Sequence, residues 1–495
     1  MKEFPELSLL YEKGKFPSLT EYADWSHIKG SQLDHWIITF SNINIPSQPY
    51  PTTMKLLIIL ASTIALAFAG RVDINLETAV NNGETSAILE LPQIMAQVES
   101  NPSLRSLSGD AKVTALVSSL QGLTSAAQAP YVSVASSLGL ETQQFWSSNI
   151  ILVKGLTPEK LSLLAATPGD FTIRKQNVAS LFPTIDYGPA VPLRQGLNQW
   201  GVNKVRAPEA WNVTQGEGIV VAIIDTGVNL GHVALTEGYA GAWADPYYNT
   251  AGPTDIQGHG SHCAGTVLGT ANGVGVAPAA KWIACRGLNN QGNGDEASLT
   301  TCAQFMLTAN PRPNIVSNSW GGGQGRTWYN TQISAWRAAG IIPVFALGNS
   351  GPNCRTANSP GDQPNLISVG NTDEQDAVAI PPAVPSSRGP SVGGLMKPEV
   401  SAPGTRVVSC GTGAGDYTTK SGTSMATPHT AGAIALLLSA NPTWGYDEVY
   451  AALTTTGATP QLTSADRNCG LPTPNDFPNN AFGYGRIDVA AALGL

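Results

Sequence analysis

The segment Ile219-Val220-Val221-Ala222-Ile223-Ile224 is an unbroken apolar run that ends directly at Asp225. Such a run predicts a β-strand that is buried on both faces. The pattern recurs, with helical patterns between several copies: strands are predicted at 281–285, 314–317, 341–346, 366–369 and 406–409, and helices at 297–308 and 331–339. Strands that alternate with helices favour an α/β fold, in which a mostly parallel sheet is covered by helices on both faces.

Length and composition limit the function classes. The chain has 495 residues, of which 42% are hydrophobic and 13% are charged, with 52 Gly and 35 Pro. At about 150 residues per domain, this length predicts roughly three domains. The formal net charge of −8 argues against nucleic acid or an anionic membrane as the main partner. We therefore expect no nucleic-acid partner, and we expect a monomer.

A signal-peptide pattern begins at Met54. A lysine is followed by the largely apolar run 56–68 and then by a small-x-small site at 67–69. This order is typical of a cleaved secretion signal, and the run is shorter than the roughly 20 residues that span a bilayer. We predict a signal peptide at 54–69 and interpret 1–53 as a gene-model extension or a disordered leader. A buried core helix and an internal membrane anchor are the alternatives.

Residues 70–189 are predicted to form a small α/β domain. Helical spacing covers 92–140, a strand is predicted at 147–153, Thr157 and Pro158 open a short helix, and one or two strands are predicted within 170–181. Threonine caps helices and proline suits their first turn. The three prolines of 182–197 indicate an exposed linker, and a second domain is predicted at 190–495.

Four polar residues follow predicted strands or open a predicted helix, where α/β sheets bind their ligands. They are Asp225, His259, Asn349 and Ser424. An acid can orient a histidine, which then acts as a base through its other ring nitrogen. A serine at a helix N-terminus lies where developing negative charge is favoured, and an asparagine amide can donate to an oxyanion. Taken singly, each residue also suits an ordinary cap or turn.

The order of these residues decides between two classes of serine hydrolase. Gly422-Thr423-Ser424-Met425-Ala426 differs by one residue from the nucleophile elbow of α/β-hydrolases. That fold requires an acid and then a histidine after the serine. Only His429 follows Ser424, with no acid between them, so the esterase interpretation fails. The order Asp225, His259, Ser424 is the subtilisin order.

The surrounding motifs resemble those of subtilisin-like serine proteases. Asp225-Thr226-Gly227, Gly-His-Gly-Ser-His-Cys-Ala-Gly at 258–265, Gly-Asn-Ser-Gly at 348–351 and Gly-Thr-Ser-Met-Ala-Thr-Pro at 422–428 carry the resemblance. It covers about 198–495. Three further segments are most similar to the bacillopeptidase F-like branch: 281–286, 387–390 and 397–404. The part at about 147–182 resembles, more weakly, the inhibitory prodomain of such proteases.

The resemblance implies a three-layer αβα subtilisin-like fold, preceded by a small α/β prodomain. It implies that Ser424 attacks the scissile carbonyl, that His259 transfers the proton and that Asp225 holds the imidazole. Asn349 and the Ser424 backbone N–H would form the oxyanion hole. Two segments would pair with the substrate: Gly292, Asn293, Gly294 and Ser319, Trp320, Gly321. Three further residues would also bind it: Ala346, Gly348 and Asn358.

Some of the implied details stay open. Trp320 is either a pocket wall or a core residue. Asn358 would lie at the base of the P1 pocket, and no acid aligns there, although Asp362 follows closely. We therefore predict an apolar or aromatic P1 preference.

The resemblance also bears on metals. No cofactor is expected to be required. Many relatives bind calcium through a carboxylate after the Asp-Thr-Gly strand, but 231–235 contains no acid, so structural calcium is not supported there. A metal site at His259, His262 and Cys263 is rejected because no fourth ligand follows at zinc spacing. We interpret His262 as a packed, hydrogen-bonded histidine.

Six cysteines permit fifteen full pairings. The resemblance implies that Cys263 is a buried free thiol, which leaves an odd number. Cys285 with Cys302 is the first predicted disulfide, and Cys354 is expected to pair with Cys410 or Cys469.

These inferences give a secreted or endolysosomal serine endopeptidase that acts on protein or peptide substrates. We expect it to be made as a zymogen whose prodomain assists folding and inhibits the site until it is cut away within 182–198. A catalytically silent subtilisin fold used for binding is the alternative from another class. A membrane-anchored protease is a third.

Overall fold

The computed structural model describes residues 70–190, 196–470 and 476–495. The predicted leader at 1–53 and the predicted signal peptide at 54–69 lie outside these residues. Within them, no helix is both long and apolar enough to cross a bilayer.

The N-terminal part, residues 70–190, contains a five-stranded sheet and five helices. The order within the sheet is β1-β5-β2-β4-β3, and only the β1–β5 pair is parallel. Its elements are β1 Arg71–Val72, α1 Ile74–Asn81, β2 Ser86–Glu90, α2 Met95–Glu99, α3 Pro102–Arg105, α4 Gly109–Ser137, β3 Glu141–Phe145, β4 Ile150–Lys154, α5 Pro158–Ala165, β5 Thr172–Arg174, β6 Val178–Leu181 and β7 Ile185–Pro189.

Local sequence explains where these helices begin and end. The predicted cap at Thr157 is confirmed, because its side chain accepts a hydrogen bond from Lys160 N. The helical pattern over 92–140 is divided into three helices rather than one. Asn101 caps α3 through its side chain and Pro102 occupies the first turn, and this combination starts a new helix instead of continuing the old one.

The C-terminal part, residues 196–495, contains a seven-stranded sheet in which every pair of neighbours is parallel, in the order β16-β15-β14-β12-β8-β10-β9. Its strands are β8 Val220–Asp225, β9 Tyr239–Ala244, β10 Lys281–Arg286, β11 Asn293–Asp295, β12 Ile315–Asn318, β13 Trp320–Gly321, β14 Ile342–Ala346, β15 Ile367–Thr372, β16 Val400–Pro403, β17 Val407–Cys410 and β18 Tyr417–Ser421. Its helices are α6 Trp200–Lys204, α7 Ala207–Ala210, α8 His259–Leu268, α9 Glu296–Thr308, α10 Asn330–Ala338, α11 Thr423–Ala440, α12 Tyr446–Thr455, α13 Ser464–Arg467 and α14 Val489–Ala492.

Strand β8 shows why its sequence is apolar throughout. Val221 and Ile223 belong to a core cluster that includes residues of α8 and α11. Ala222 and Ile224 belong to the cluster on the other face, with residues of α9 and α10. Because successive side chains point to opposite faces, a strand between two helical layers needs apolar residues at every position. The predicted three-layer α/β arrangement is confirmed.

One predicted strand lies elsewhere. The run at 406–409 forms β17, which pairs antiparallel with β18 in a separate three-stranded sheet. Its apolar residues resemble those of the central strands, so the pattern alone does not reveal which sheet it joins.

The last segment of the N-terminal part, 178–189, which we call the strap, pairs with strands of the C-terminal part. Strand β6 lies between β11 and β13 and is antiparallel to both. Strand β7 is antiparallel to β18. The prediction of a loose linker is therefore wrong for Ile185–Pro189, because the open edge of β18 supplies this backbone with partners.

Two disulfides are present among the described residues. Cys285–Cys302 confirms the first prediction and ties β10 to α9. Cys354 pairs with Cys469, one of its two predicted partners. Cys263 and Cys410 are buried free thiols.

Candidate active site

A buried acid–histidine pair lies at the carboxyl edge of the sheet. Asp225 is the last residue of β8 and His259 is the first of α8. His259 Nδ1 lies 2.9 Å from Asp225 Oδ1 and 3.1 Å from Oδ2, and both side chains are at most 2% exposed. Burial by itself lowers the pKa of His259, but the Asp225 carboxylate, with Cys263, raises that pKa well above its ordinary value.

A second buried acid fixes the loops that carry this pair. Asp255 Oδ1 accepts hydrogen bonds from Gly258 N (2.8 Å) and Thr226 Oγ1 (3.0 Å). Its Oδ2 accepts from the backbone (2.9 Å) and hydroxyl (2.7 Å) of Ser261. Asp255 thereby links the residue after Asp225 to the first turn of α8. The sequence analysis missed it, because an isolated acid in a loop carries no distinguishing signal.

Ser424 lies in the first turn of α11 and is fully buried. The preceding Gly422 has φ +150°, and a Cβ there would lie 2.8 Å from Asn349 Nδ2, so glycine is required. Ser424 Oγ donates to Ser319 O at 3.3 Å, and Ser319 Oγ donates to Ser424 O at 3.1 Å. His259 Nε2 is buried and bonds to none of the described residues, so in this arrangement the serine hydroxyl does not donate to the histidine.

Asn349 follows β14, and its amide has a defined orientation. Its Oδ1 accepts from Thr423 N at 2.9 Å and from Thr423 Oγ1 at 2.8 Å. Its Nδ2 therefore points outward and donates to Pro183 O at 2.8 Å. The strap thus delivers a carbonyl oxygen to the amide that the sequence analysis assigned to an oxyanion hole.

Both predicted substrate-pairing segments bind the strap. Asn293 and Gly294 are the register partners of Ser180 and Ala179, and Gly292 O accepts from Leu181 N at 2.8 Å. On the other side, Trp320 is opposite Leu181, and Gly321 is opposite Ser180. Strand β6 is therefore held as an extended peptide between two strands, a common mode of peptide recognition.

The side chain of Trp320 does not face the strap. It is fully buried and makes edge contacts with Tyr329 and Phe345, at centroid distances of 5.2 and 5.6 Å. Of the two predicted alternatives, the side chain is a core residue, and only its backbone meets the strap.

The ring of Phe182 lies against Gly321. A Cβ on Gly321 would lie 2.6 Å from Phe182 Cζ and 2.4 Å from Ser359 O, so the ring approaches bare backbone there. Phe182 is 6% exposed. The three further residues predicted to bind substrate also come together, because Asn358 N donates to Leu347 O at 2.9 Å, between Ala346 and Gly348. Asp362 accepts from Gly325 N at 2.6 Å.

Comparisons with known proteins identify the family of the chain. The model of the subtilase family matches residues 216–485. Bacillopeptidase F of Bacillus subtilis is 36% identical over 329 residues, which are 60% of this chain and 22% of that protein. Thermitase of Thermoactinomyces vulgaris is 34% identical over 246 residues, which are 49% of this chain and 82% of that protein. Subtilisin E of Bacillus subtilis is 30% identical over 321 residues, 62% and 72% of the two chains. The chain belongs to the subtilase family.

This subtilase is a subtilisin-like serine endopeptidase, a hydrolase that acts on proteins. The matched region, 216–485, includes all four polar residues that the sequence analysis selected. It excludes the N-terminal part and the strap. The prediction that the chain is a member of the subtilisin-like serine proteases is confirmed.

Two groups beside the histidine have structural roles. His262 Nε2 lies 3.1 Å from Val407 O and 3.2 Å from Thr418 O, and burial lowers its pKa to about 3. It is a neutral, packed histidine, as expected. Cys263 Sγ donates to Ser424 O at 3.4 Å, and burial raises the pKa of its thiol, so it stays protonated.

The residues present do not fit a calcium ion at the usual place in this subtilase. Subtilases generally need no cofactor, although calcium is often structural. After β8, the fully buried His232 accepts from Ala234 N at Nδ1 and donates from Nε2 to Asp416 O, and 231–235 contains no carboxylate. Among the described residues, one group of three or more histidine, cysteine, aspartate or glutamate side chains has its potential metal-binding atoms within 4.8 Å of one another. It consists of Asp225, His259 and Cys263.

Proposed function

We propose that this subtilase is a secreted endopeptidase made as a zymogen, with Asp225, His259 and Ser424 as its catalytic triad. The observation that carries the proposal is the strap in the cleft, with its Pro183 carbonyl on Asn349 Nδ2 beside the bonded Asp225–His259 pair. A peptide carbonyl at that amide is where an acyl-transfer enzyme holds its substrate.

In the mature enzyme, Ser424 Oγ would attack the scissile carbonyl while His259 Nε2 accepts its proton. Asp225 keeps Nδ1 protonated and stabilises the imidazolium that forms. The oxyanion would receive hydrogen bonds from Asn349 Nδ2 and from the Ser424 backbone N–H, which lies in the first turn of α11 and has no partner within the helix. His259 would then protonate the leaving amine, and water would hydrolyse the acyl-enzyme.

The strap supports the zymogen part of the proposal. We assign the ring of Phe182, which lies against Gly321, to the P1 pocket, whereas the carbonyl on Asn349 belongs to the next residue, Pro183. In a productive substrate the P1 residue supplies both the side chain and the carbonyl. The strap is therefore displaced by one residue, and Ser424 Oγ donates to Ser319 rather than to His259. An occupied but misaligned cleft suits an intramolecular inhibitor.

An ion pair anchors the N-terminal part beside the cleft. Glu296, at the start of α9 and 2% exposed, accepts from both Nη atoms of Arg174 at 2.7 Å. It also accepts from the backbone and side chain of Asn177, at 2.9 and 2.8 Å. These contacts hold the chain immediately before the strap, and they support residues 70–189 as a prodomain.

The aromatic ring of Phe182 also supports the predicted P1 preference. An aromatic ring lies against Gly321, and Asn358 is held by Ser350 Oγ, which donates to its Oδ1 at 3.0 Å. Asp362, the acid that follows closely in the sequence, already accepts from Gly325 N, which favours an uncharged P1 side chain over lysine or arginine. We propose a broad preference for apolar or aromatic P1 residues.

Secretion rests on the sequence of 54–69 and on the two disulfides, which form in oxidising compartments. The test of the whole proposal is expression from Met54 in a secreting host, followed by labelling with a fluorophosphonate. After prodomain removal we expect an adduct on Ser424 that is lost in His259→Ala. Ser439→Ala, in the same helix, is the matched control and should retain the adduct. An unlabelled, folded protein would instead support the catalytically silent alternative.

A further inference from the structure

Strand β18 presents a second edge that binds a peptide segment, separate from β11 and β13. It leads directly to Gly422 and α11, and its outer edge pairs with β7. Ser421 is the register partner of Ile185, and Lys420 is the partner of Asp186. After the strap leaves, this edge is open, and a substrate segment that follows the cleaved bond has to pass along it.

One side chain on this edge is charged and nearly buried. Lys420 is 7% exposed, and its ammonium bonds Asp186 Oδ2 of the strap. Burial tends to raise the pKa of Asp186, but its hydrogen bonds, chiefly that from Lys420, lower it. Burial lowers the pKa of the neighbouring His262 and keeps it neutral, so this histidine does not replace Asp186 as an anionic partner of Lys420. Loss of the strap would remove this carboxylate, and the Lys420 ammonium could then bind an anionic replacement at the same position.

The next position of the strap has a partner as well. The Arg406 guanidinium lies over the ring of Tyr187, at 4.4 Å from the centroid, a cation–π contact. Ser421 Oγ donates to Tyr187 OH at 3.4 Å. The acidic residue of the strap is thus bound by Lys420, and the aromatic residue that follows it is bound by Arg406.

We propose that Lys420 and Arg406 form a primed-side subsite that selects substrates with an acidic residue, followed by an aromatic one, after the cleaved bond. The inference rests on the proposed function. Counted from Pro183, whose carbonyl binds Asn349, Asp186 is the third residue after the bond (P3′) and Tyr187 the fourth (P4′). The strap carries the sequence that the subsite prefers, so it binds on both sides of the position of the cleaved bond.

The test uses the matured enzyme and quenched fluorescent peptides that share Phe at P1 and differ at P3′. With Asp at P3′, kcat/KM should be about tenfold higher than with Asn, the size of one charge-assisted hydrogen bond. Lys at P3′ should be the poorest. When the Asp is moved along P2′ to P5′, the maximum should stay at P3′.

Variants connect the preference to the side chains. Lys420→Gln should make the Asp and Asn peptides equal, and Lys420→Arg should retain the preference. Lys281→Gln, which removes a lysine that bonds only Glu237 O among the described residues, is the matched control and should keep the wild-type ratio. Arg406→Asn tolerates the positive φ of that position and should remove the advantage of Tyr over Ala at P4′.

A measurement on the wild type covers the case in which Lys420→Gln fails to mature. Between about 0.1 M and about 1 M salt the Debye length falls from about 10 Å to about 3 Å, so the Asp preference should shrink while the P1 preference persists. Equal rates for Asp and Asn at P3′, or a maximum elsewhere, would overturn the subsite. Hydrolysis of no peptide at all would instead refute the proposed function.

Discussion

Replacing Glu296 by Gln should loosen the N-terminal part from the catalytic part. Glu296 accepts two hydrogen bonds from Arg174 and two from Asn177. Glutamine keeps the shape of the side chain but removes the charge and turns one acceptor oxygen into a donor NH₂ group. That group would face donors of the N-terminal part, so at least one of the bonds to the arginine or to the asparagine is lost.

The expected loss of binding free energy follows from the burial of the Arg174–Glu296 ion pair. Removing one partner of a buried ion pair costs about 3–5 kcal/mol. Arg174 keeps Glu90 as a second partner and is 18% exposed, so we reduce the expected cost to about 2–4 kcal/mol. At about 1.4 kcal/mol per factor of ten, the inhibition constant of the cleaved prodomain should rise roughly 30- to 700-fold.

The assay follows the activity of the processed enzyme on dilution, because the non-covalently bound prodomain then dissociates. Glu296→Gln should regain full activity at a much higher protein concentration than the wild type. Glu448→Gln is the matched control, because Glu448 also lies in the first turn of a helix but caps only Gly445 N. Equal inhibition constants for Glu296→Gln and the wild type would refute the claim that this ion pair holds the prodomain.

Three further results are expected. Pro183→Ala should speed self-cleavage after Phe182, because the proline ring no longer fixes φ at this position; mass spectrometry of the new N-terminus follows the cleavage. Since His259 must be neutral to accept a proton and Asp225 raises its pKa, kcat/KM should fall as pH drops through a value above 6.5. Asp225→Asn should shift this acid-side decrease in kcat/KM to lower pH and reduce kcat about 10,000-fold. Removing the Cys354–Cys469 disulfide, which spans 115 residues, should lower the free energy of unfolding by about 2–5 kcal/mol.

The first of these predictions has a matched control, and each has an outcome that would contradict it. Pro189→Ala changes a proline at the end of β7, away from Asn349, and should leave the rate of maturation unchanged. Equal rates of cleavage after Phe182 in Pro183→Ala and in the wild type would contradict the misaligned strap. If the acid-side decrease in kcat/KM occurs at the same pH in Asp225→Asn and the wild type, the Asp225 carboxylate is not what raises the pKa of His259. Urea unfolding that is insensitive to the loss of both Cys354 and Cys469 would contradict the disulfide's role.

The sequence was most informative where local pattern and chemistry coincide. The apolar run before Asp225 predicts a strand between two helical layers, and the glycine-flanked motifs at His259 and Ser424 mark the carboxyl edge of the sheet. The cap at Thr157 is likewise a short-range effect. In each case the deciding residues lie within a few positions of one another.

Features decided by long-range pairing were not predictable in the same way. Ile185–Pro189 carries no strong strand pattern and becomes β7 only because β18 offers an open edge. Lys420 is one lysine in a polar stretch, and Glu296 resembles any acid at a helix start. Their significance comes from Asp186 and Arg174, which lie far away along the chain.

The strap also bears on how the chain reaches its fold. The strap and Asn177, the residue directly before it, make contacts at Asn177–Glu296, Pro183–Asn349 and Asp186–Lys420, which close sequence separations of 119, 166 and 234 residues. Closing such long loops is entropically costly and slows folding. A segment that binds all three distant regions at once lowers the cost of bringing them together, but it contributes nothing after it has been released. The mature enzyme would then persist because unfolding is slow, and a denatured sample would regain activity only when the prodomain is supplied again.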